Sequence, residues 1–394
     1  MTALEIAFLV SSVLGLLTGL SVVVLSLTWL ERKFLGRIQM RLGPMRVGPH
    51  GLLQPVADAV KLVAKEDILP SWVDKIVYWL APLLVFVPSF MIWVTIPLAR
   101  DLVISNLDMG LFYIVAFSVL SIVGLVGAGW ASANKYAILG GFRAAAQLIS
   151  YEIPLILAIL GVAMIAQSLN LENVVNYQSA YPIAIIQPLG LVLFFIAGLA
   201  ELGRTPFDIH PAESEVVGGP FVEYSGAHWS VFFLAEYINT FAIAALTVLL
   251  FLGGWLFPGL PSHITALGFL VVLVKTYMVI LVIFWIRGTY PRLRIDQLMS
   301  LGWKVLVPLA FLNIVITGFY MFYNWPPWSL TLMSVLVIVA TVWIMGRRMK
   351  TSPTPQYTVT LYRPPQEVTN ARYLKGFDGP SGHFISKACN LPVP

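Results

Sequence analysis

The sequence predicts an all-α integral membrane protein, a polytopic bundle of about eight or nine transmembrane helices with one further amphipathic helix at the interface. Three observations carry this. Hydrophobic residues make up 58% of the 394-residue chain and charged residues only 11%, less than half the roughly 25% of a soluble domain. The apolar residues fall in runs long enough to cross a hydrocarbon core of about 30 Å. The charges are gathered between those runs, and on alternate sides.

Candidate spans cover residues 6–30, 76–98, 111–131, 153–167, 186–200, 231–257, 264–286, 305–323 and 330–346. The fourth and fifth are short for a crossing. The last follows the tight link Trp325-Pro-Pro-Trp328, so it reads equally as a span or as a re-entrant segment. The first run has no basic stretch before it and no small-residue cleavage site, so it is expected to be a retained span rather than a signal peptide. With the N-terminus outside, all of the 24 Lys and Arg except Arg100 and Lys275 fall in cytoplasmic segments, the asymmetry expected of a cytoplasmic face. That places the C-terminus inside, in a bacterial-type cytoplasmic membrane. Two regions are expected, a membrane domain over residues 1–346 and a polar, Pro-rich cytoplasmic tail over 347–394.

Several functions are excluded or weakened. The net charge of +5 does not mark a nucleic-acid binder, because the basic residues are dispersed between spans. The single cysteine, Cys389, cannot build a disulfide, an iron–sulfur cage or a structural zinc site within the chain. The five histidines show no metal-ligand spacing, and Ser132-x-x-Lys135 lacks the companions of a nucleophile motif. No glycine-rich phosphate loop is present. Gly15 and Gly19, and Gly124, Gly127 and Gly129, read as helix-packing residues. No internal repeat supports a stand-alone transporter.

The first polar segment, residues 31–74, holds an expected helix from Pro55 to Lys65, since proline suits a first helical turn. Val56, Val60 and Val63 share one face and Asp58, Lys61 and Lys65 another. Such a helix either floats in the interface or walls an opening for a lipid-soluble substrate. Charged residues in or beside the spans are costly there: Glu31, Glu152, Glu201, Glu236 and Lys275. Glu31 and Lys275 are as readily explained by snorkelling to headgroups. Glu201 and Glu236 bracket an acidic, half-apolar segment holding Asp208, Glu213, Glu215 and Glu223 against one cation, Arg204. Carboxylates crowded among apolar residues cannot all ionise cheaply. The segment is therefore either a solvated acidic loop or, the preferred reading, a proton-handling cluster.

Several stretches carry a resemblance. They are Glu31-Arg32-Lys33, Arg41-Leu-Gly-Pro-Met-Arg-Val-Gly48, Gln54-Pro-Val-Ala-Asp58 and Lys61-Leu-Val-Ala-Lys-Glu-Asp67 in the first segment. Arg143-Ala-Ala-Ala-Gln-Leu-Ile-Ser-Tyr-Glu152, Ala200-Glu-Leu-Gly-Arg-Thr-Pro-Phe-Asp208, Ala212-Glu-Ser-Glu215, Glu223-Tyr-Ser225 and Phe233-Leu-Ala-Glu-Tyr237 follow, and Arg287-Gly-Thr-Tyr-Pro-Arg-Leu-Arg-Ile-Asp-Gln-Leu-Met299 with Gly302-Trp-Lys304 closes the set. In this order, over residues 5–325, they resemble the complex I subunit 1 family, whose bacterial members form the H subunit of NADH-quinone oxidoreductase and whose mitochondrial members belong to respiratory complex I. Pro211 departs from it, standing where many members carry a further Glu, as does Met45 where Asn is common.

The resemblance implies a membrane subunit forming the membrane side of a quinone chamber with two hydrophilic subunits, beside small membrane subunits and antiporter-like subunits. It implies no cofactor bound by this chain: quinone is the substrate, and the iron–sulfur clusters, flavin and NADH belong to partners. Glu152, Glu201, Glu236, Glu213, Glu215, Glu223 and Asp208 become candidates for proton transfer. Arg32, Arg37, Arg41, Arg46, Asp58, Lys61 and Arg204 become candidates for quinone binding or entry, or for the partner-facing surface. Two alternatives stay open: the homologous membrane anchor of a membrane-bound hydrogenase or formate-oxidising complex, and a stand-alone ion transporter.

Overall fold

A computed structural model describes residues 3–209, 212–257 and 264–351, with the side chains of 3–9, 213, 214 and 348–351 excepted. Of the tail expected over residues 347–394, the part from 352 onward, with Cys389, lies outside the described residues. The unit ending at Thr341 holds the cavity and the ionic cluster described below, and the last helix runs past its end.

Helix α1, Ala3–Ile38, carries the first span and continues past it to bring Glu31, Arg32 and Arg37 onto a helical surface. An irregular stretch then leads to α2, Gln54–Ala64, with Pro55 in its first turn as expected. Its Val56, Val60 and Val63 are exposed, while α2 packs against α1 and α10. Helix α3, Lys75–Met91, starts where the Asp74 carboxylate accepts from the Ile76 amide, and it tolerates Pro82 and Pro88. Helix α4 is Gly110–Ala131.

Helix α5, Lys135–Ala166, is capped by Asn134 and ends at Gln167 in the left-handed region. It is much longer than the expected 153–167. The sequence window stops at Arg143, Gln147 and Glu152, but the fold turns these groups toward protein partners. Gln147, for example, donates to the carbonyls of Ala200 and Phe207, each at 2.7 Å.

Two short helices follow, α6 Leu171–Tyr177 and α7 Ile183–Ile186, then α8, Pro188–Glu201. At 14 residues, α8 is about 21 Å long, shorter than the hydrocarbon core. Among its described residues the acidic segment contains one short α-helix, α9 Glu213–Val216, and a 3-10 turn over Gly219–Phe221 before α10, Gly226–Phe251. Helix α11 is Thr265–Thr289, α12 is Ile295–Leu301, and a single π-helical turn over Gly302–Leu306 joins it to α13, Val307–Phe322. Helix α14 is Pro327–Thr351. Among the described residues there is no strand, only one isolated bridge between Ala99 and Leu102.

Among the described residues eight helical runs are long and apolar enough to cross a membrane, one of them the continuous run Ile295–Phe322 through α12, the π turn and α13, and α8 is the shorter remaining member of the expected set. The chain is a multi-pass membrane protein. Helix α10 is the most enclosed of the eight, and α1 and α14 are among the least. Helix α4 packs between α3 and α5, α5 also meets α8 and α13, and α10 lies against α3 and α11.

Glycines permit the closest approaches. A Cβ on Gly124 would stand 2.6 Å from Val85 Cγ2, and one on Gly140 only 2.4 Å from the Cα of Gly219. Gly15 and Gly19, expected at a helix contact, face open space among the described residues. Lys275 turns to protein partners: its Nζ donates to the carbonyls of Leu252, Gly254 and Leu256 at 2.7, 3.0 and 2.8 Å, closing the C-terminal end of α10.

Candidate functional site

A cavity of about 450 Å³ lies among α3, α4, α5, α8 and α10, and the chain following α8. Its walls are largely aliphatic and aromatic, with the carboxylates of Glu152, Glu201, Asp208 and Glu236 and the guanidinium groups of Arg204 and Arg287 set among them.

Each charged group reaches the cavity for a local reason. Glu201 is the last residue of α8. Gly203 then takes a positive φ of 60°, which reverses the chain at no steric cost and sends Arg204 inward. Glu236 and Tyr237 are adjacent on the enclosed α10. Glu31 lies where α1 continues beyond its apolar run.

These residues form one ionic cluster. Arg204 Nη1 donates to Glu31 Oε2 at 2.9 Å, and Arg204 Nε lies 3.3 Å from Glu236 Oε1. Arg287 donates to the other Glu31 oxygen. The Tyr237 hydroxyl donates to Glu31 Oε2 at 2.7 Å, and its ring lies 4.3 Å beneath the Arg204 guanidinium. The Arg204 and Glu31 side chains are 1% and 6% exposed, whereas that of Glu236 is 43% exposed, opening on the cavity. Burial works against the Arg204 charge, but Glu31 and Glu236 more than offset it and hold its pKa above the usual arginine value. With two carboxylates against two guanidinium groups, the cluster is internally balanced, as buried charges must be.

Among the described residues two of the cavity carboxylates, Glu152 and Glu201, form no ion pair. Glu152 Oε1 accepts from Ser118 Oγ at 2.9 Å. Glu201 Oε2 is buried with no hydrogen-bond partner among the described residues.

The acids of the segment between α8 and α10 do not converge on one point. Asp208 reaches the cavity and pairs with Arg292 at 2.7 Å. Glu215 pairs with Arg143 at 2.5 Å, and Glu223 accepts from Asn134 Nδ2 at 2.9 Å. Both stand outside the cavity lining. Glu213 belongs to α9, and its side chain lies outside what is described.

In the first polar segment, Asp58 on α2 pairs with Arg32 on α1 at 2.5 Å, and lies 3.9 Å from Lys61 and 3.3 Å from Gln54 Nε2. Arg37, Arg41 and Arg46 are exposed. Arg204 does not share that outer face. Its side chain is buried and lines the cavity, drawn in by the Glu31 and Glu236 carboxylates.

Sequence reasoning also missed Tyr237, Arg287 and Ser118, and it left Glu31 evenly placed between headgroup and interior. The signals were faint: Tyr237 adjoins Glu236, Arg287 opens a matched stretch, and a serine in an apolar span has no distinguishing neighbour. Among the described residues no group of three or more His, Cys, Asp and Glu is placed to hold a metal.

Comparison with known proteins adds to this geometry. The sequence model of the NADH dehydrogenase family matches residues 11–318, leaving α14 beyond the match. The chain is 48% identical over 296 residues to a protein of Dehalococcoides mccartyi named as the H subunit of NADH-quinone oxidoreductase, covering 75% of this chain and 82% of that one. It is 45% identical over 319 residues to a Syntrophobacter fumaroxidans protein named as an H subunit of NADH-quinone oxidoreductase, covering 79% and 95%. To the Geobacillus sp. protein that carries the same name it is 49% identical over 293 residues, covering 73% and 86%. The shared region contains the cavity, the ionic cluster and both polar segments that build them, and on this match the chain belongs to the NADH dehydrogenase family.

Proposed function

We propose that this chain is the quinone-site membrane subunit of a proton-translocating NADH-quinone oxidoreductase, respiratory complex I. It acts as part of a translocase with hydrophilic quinone-site subunits, small membrane subunits and antiporter-like subunits. NADH, flavin and iron–sulfur clusters belong to the partners, and quinone is the substrate. The observation that carries the coupling role is the internal cavity. It presents Glu152 and Glu201, neither ion-paired among the described residues, beside a Glu236 held by Arg204. Carboxylates enclosed among apolar walls exchange protons as the charge around them changes.

Quinone enters from the bilayer past α1 and the exposed valine face of α2, where Arg32, Asp58 and Lys61 form a polar edge. The exposed Arg37, Arg41 and Arg46 face the hydrophilic partners. Quinone reduction takes up one proton for each electron. The charge change reaches the cavity through Asp208 and the Arg204–Glu31 cluster, and Glu201, Glu152 and Glu236 pass protons inward. Glu213, Glu215 and Glu223 supply the outer acidic rim of this path. The N-terminus lies outside and the tail in the cytoplasm, by the distribution of basic residues.

Glu201→Gln and Glu236→Gln in the intact complex test this reading, since glutamine keeps size and hydrogen bonding but cannot ionise. Both variants are expected to assemble and to lose coupled turnover. Full quinone reduction with full proton pumping in both would overturn it.

A further inference from the structure

Ser118 stands on α4 in the cavity wall. Its Oγ lies 2.9 Å from Glu152 Oε1 and 2.9 Å from the carbonyl oxygen of Val115, one turn earlier in its own helix. A serine hydroxyl has one proton to donate and lone pairs to accept with, so it cannot donate to both neighbours at once. Which one receives the proton depends on Glu152. An ionised carboxylate is the stronger acceptor, and the hydroxyl turns to it. A protonated Glu152 has its own O–H to donate. Ser118 then accepts from Glu152 and turns its hydroxyl to Val115.

We propose that Ser118 is a positioning residue for proton transfer at Glu152, keeping the carboxyl hydrogen-bonded in both its charged and neutral states by rotation of a single hydroxyl. The proposal rests on the proton role of Glu152 proposed above. Ser118 neither gains nor loses a proton overall. The proton that Glu152 takes up or releases passes through the cavity, and no serine alkoxide forms.

The surroundings show why this matters at Glu152 in particular. Glu236 is steadied by Arg204, and Glu201 keeps one carboxylate oxygen without a partner among the described residues. Glu201 and Glu152 line the same cavity. Among apolar walls a polar group that loses its hydrogen bond on changing state meets a desolvation cost. A hydroxyl able to act as donor or acceptor removes that cost in both directions. The neighbouring Ser121 also lines the cavity, but its Oγ donates to the Ser118 carbonyl at 2.7 Å, and Ser118 is the serine that bonds Glu152.

The test uses the purified, intact complex with Ser118→Ala, Ser118→Cys and Ser118→Thr, each alone and combined with Glu152→Gln. Ser118→Thr keeps the hydroxyl and is expected to keep most activity. Ser118→Ala is expected to lower coupled turnover roughly tenfold, equivalent to about 1.4 kcal/mol in the barrier. Ser118→Cys, nearly the same shape with a weak S–H donor, is expected to fall between them and serves if the alanine variant fails to assemble. In the Glu152→Gln background the serine substitutions should add little, since interacting residues are non-additive. In infrared difference spectra, the carboxyl C=O band that disappears in Glu152→Gln should move to higher frequency in Ser118→Ala. An impaired Glu152→Gln variant together with wild-type turnover and an unmoved band in Ser118→Ala or Ser118→Cys would overturn the serine's role alone, as would a full additive loss in the double variants. Wild-type turnover and pumping in Glu152→Gln would overturn the underlying proton role of Glu152 and the serine's role with it.

Discussion

Arg204 Nη1 and Glu31 Oε2 are 2.9 Å apart, although the two residues are 173 positions apart in sequence. Through this pair the first helix is tied to the chain that leaves α8, and Tyr237 and Arg287 fasten α10 and α11 to the same carboxylate. One glutamate thus joins four parts of the bundle.

Glu31→Ala is expected to destabilise the protein by about 3–5 kcal/mol, because it strips a buried guanidinium of its principal partner. The amount of this chain in membranes and the thermal inactivation temperature of the purified complex measure this. Wild-type values for both would show that Arg204 finds sufficient compensation elsewhere.

Gly140→Ala tests the backbone contact that seats the acidic segment. A Cβ there would stand 2.4 Å from Gly219 Cα, so either α5 or the segment must shift, at about 1–3 kcal/mol for an overpacked contact. Because Val217, Gly218 and Phe221 line the cavity, the expected outcome is reduced quinone reductase activity in a complex of lowered thermal stability. Unchanged activity and stability would mean that the contact relaxes freely.

Asp58→Asn breaks the ion pair between α2 and Arg32 and is expected to slow reduction of a long-chain quinone severalfold. Reduction of a hydrophilic artificial acceptor by the same complex should be unaffected. Arg46→Ala should behave in the same manner. Equal losses with both acceptors would point to failed assembly rather than to the quinone route.

A cysteine placed at Ser105 should react from the external side of intact cells with a membrane-impermeant reagent. The motivation is the charge distribution, with Arg100 the one basic residue of the loops assigned outside. Reaction only after the cytoplasmic face is opened would reverse the orientation.

Much of the architecture was legible because apolar length and charge placement act locally. Helix α2 follows from Pro55 and the spacing of Val56, Val60 and Val63. The start of α5 was not legible, because Arg143, Gln147 and Glu152 read as an interruption until their partners are known. The acids of the central segment are close in sequence yet diverge. Asp208 turns to the cavity, while Glu215 and Glu223 are taken by Arg143 and Asn134. In the sequence Arg204 stands as the one cation of an acidic segment. Its burial depends on Glu31 in a distant helix, and nothing in the spacing of either residue announces the pairing.

Lys275 gives the end of α10 an ion of its own. Carbonyl oxygens gathered at a helix C-terminus form a negative pole, and a group of three is the kind of setting that also attracts a hard cation. Here the positive charge is attached to α11 by a covalent stem, so it cannot exchange with sodium or potassium outside. The junction between α10 and α11 is therefore expected to be indifferent to the identity and concentration of salt in the surrounding medium, as a soldered terminal is indifferent to what lies loose on the bench.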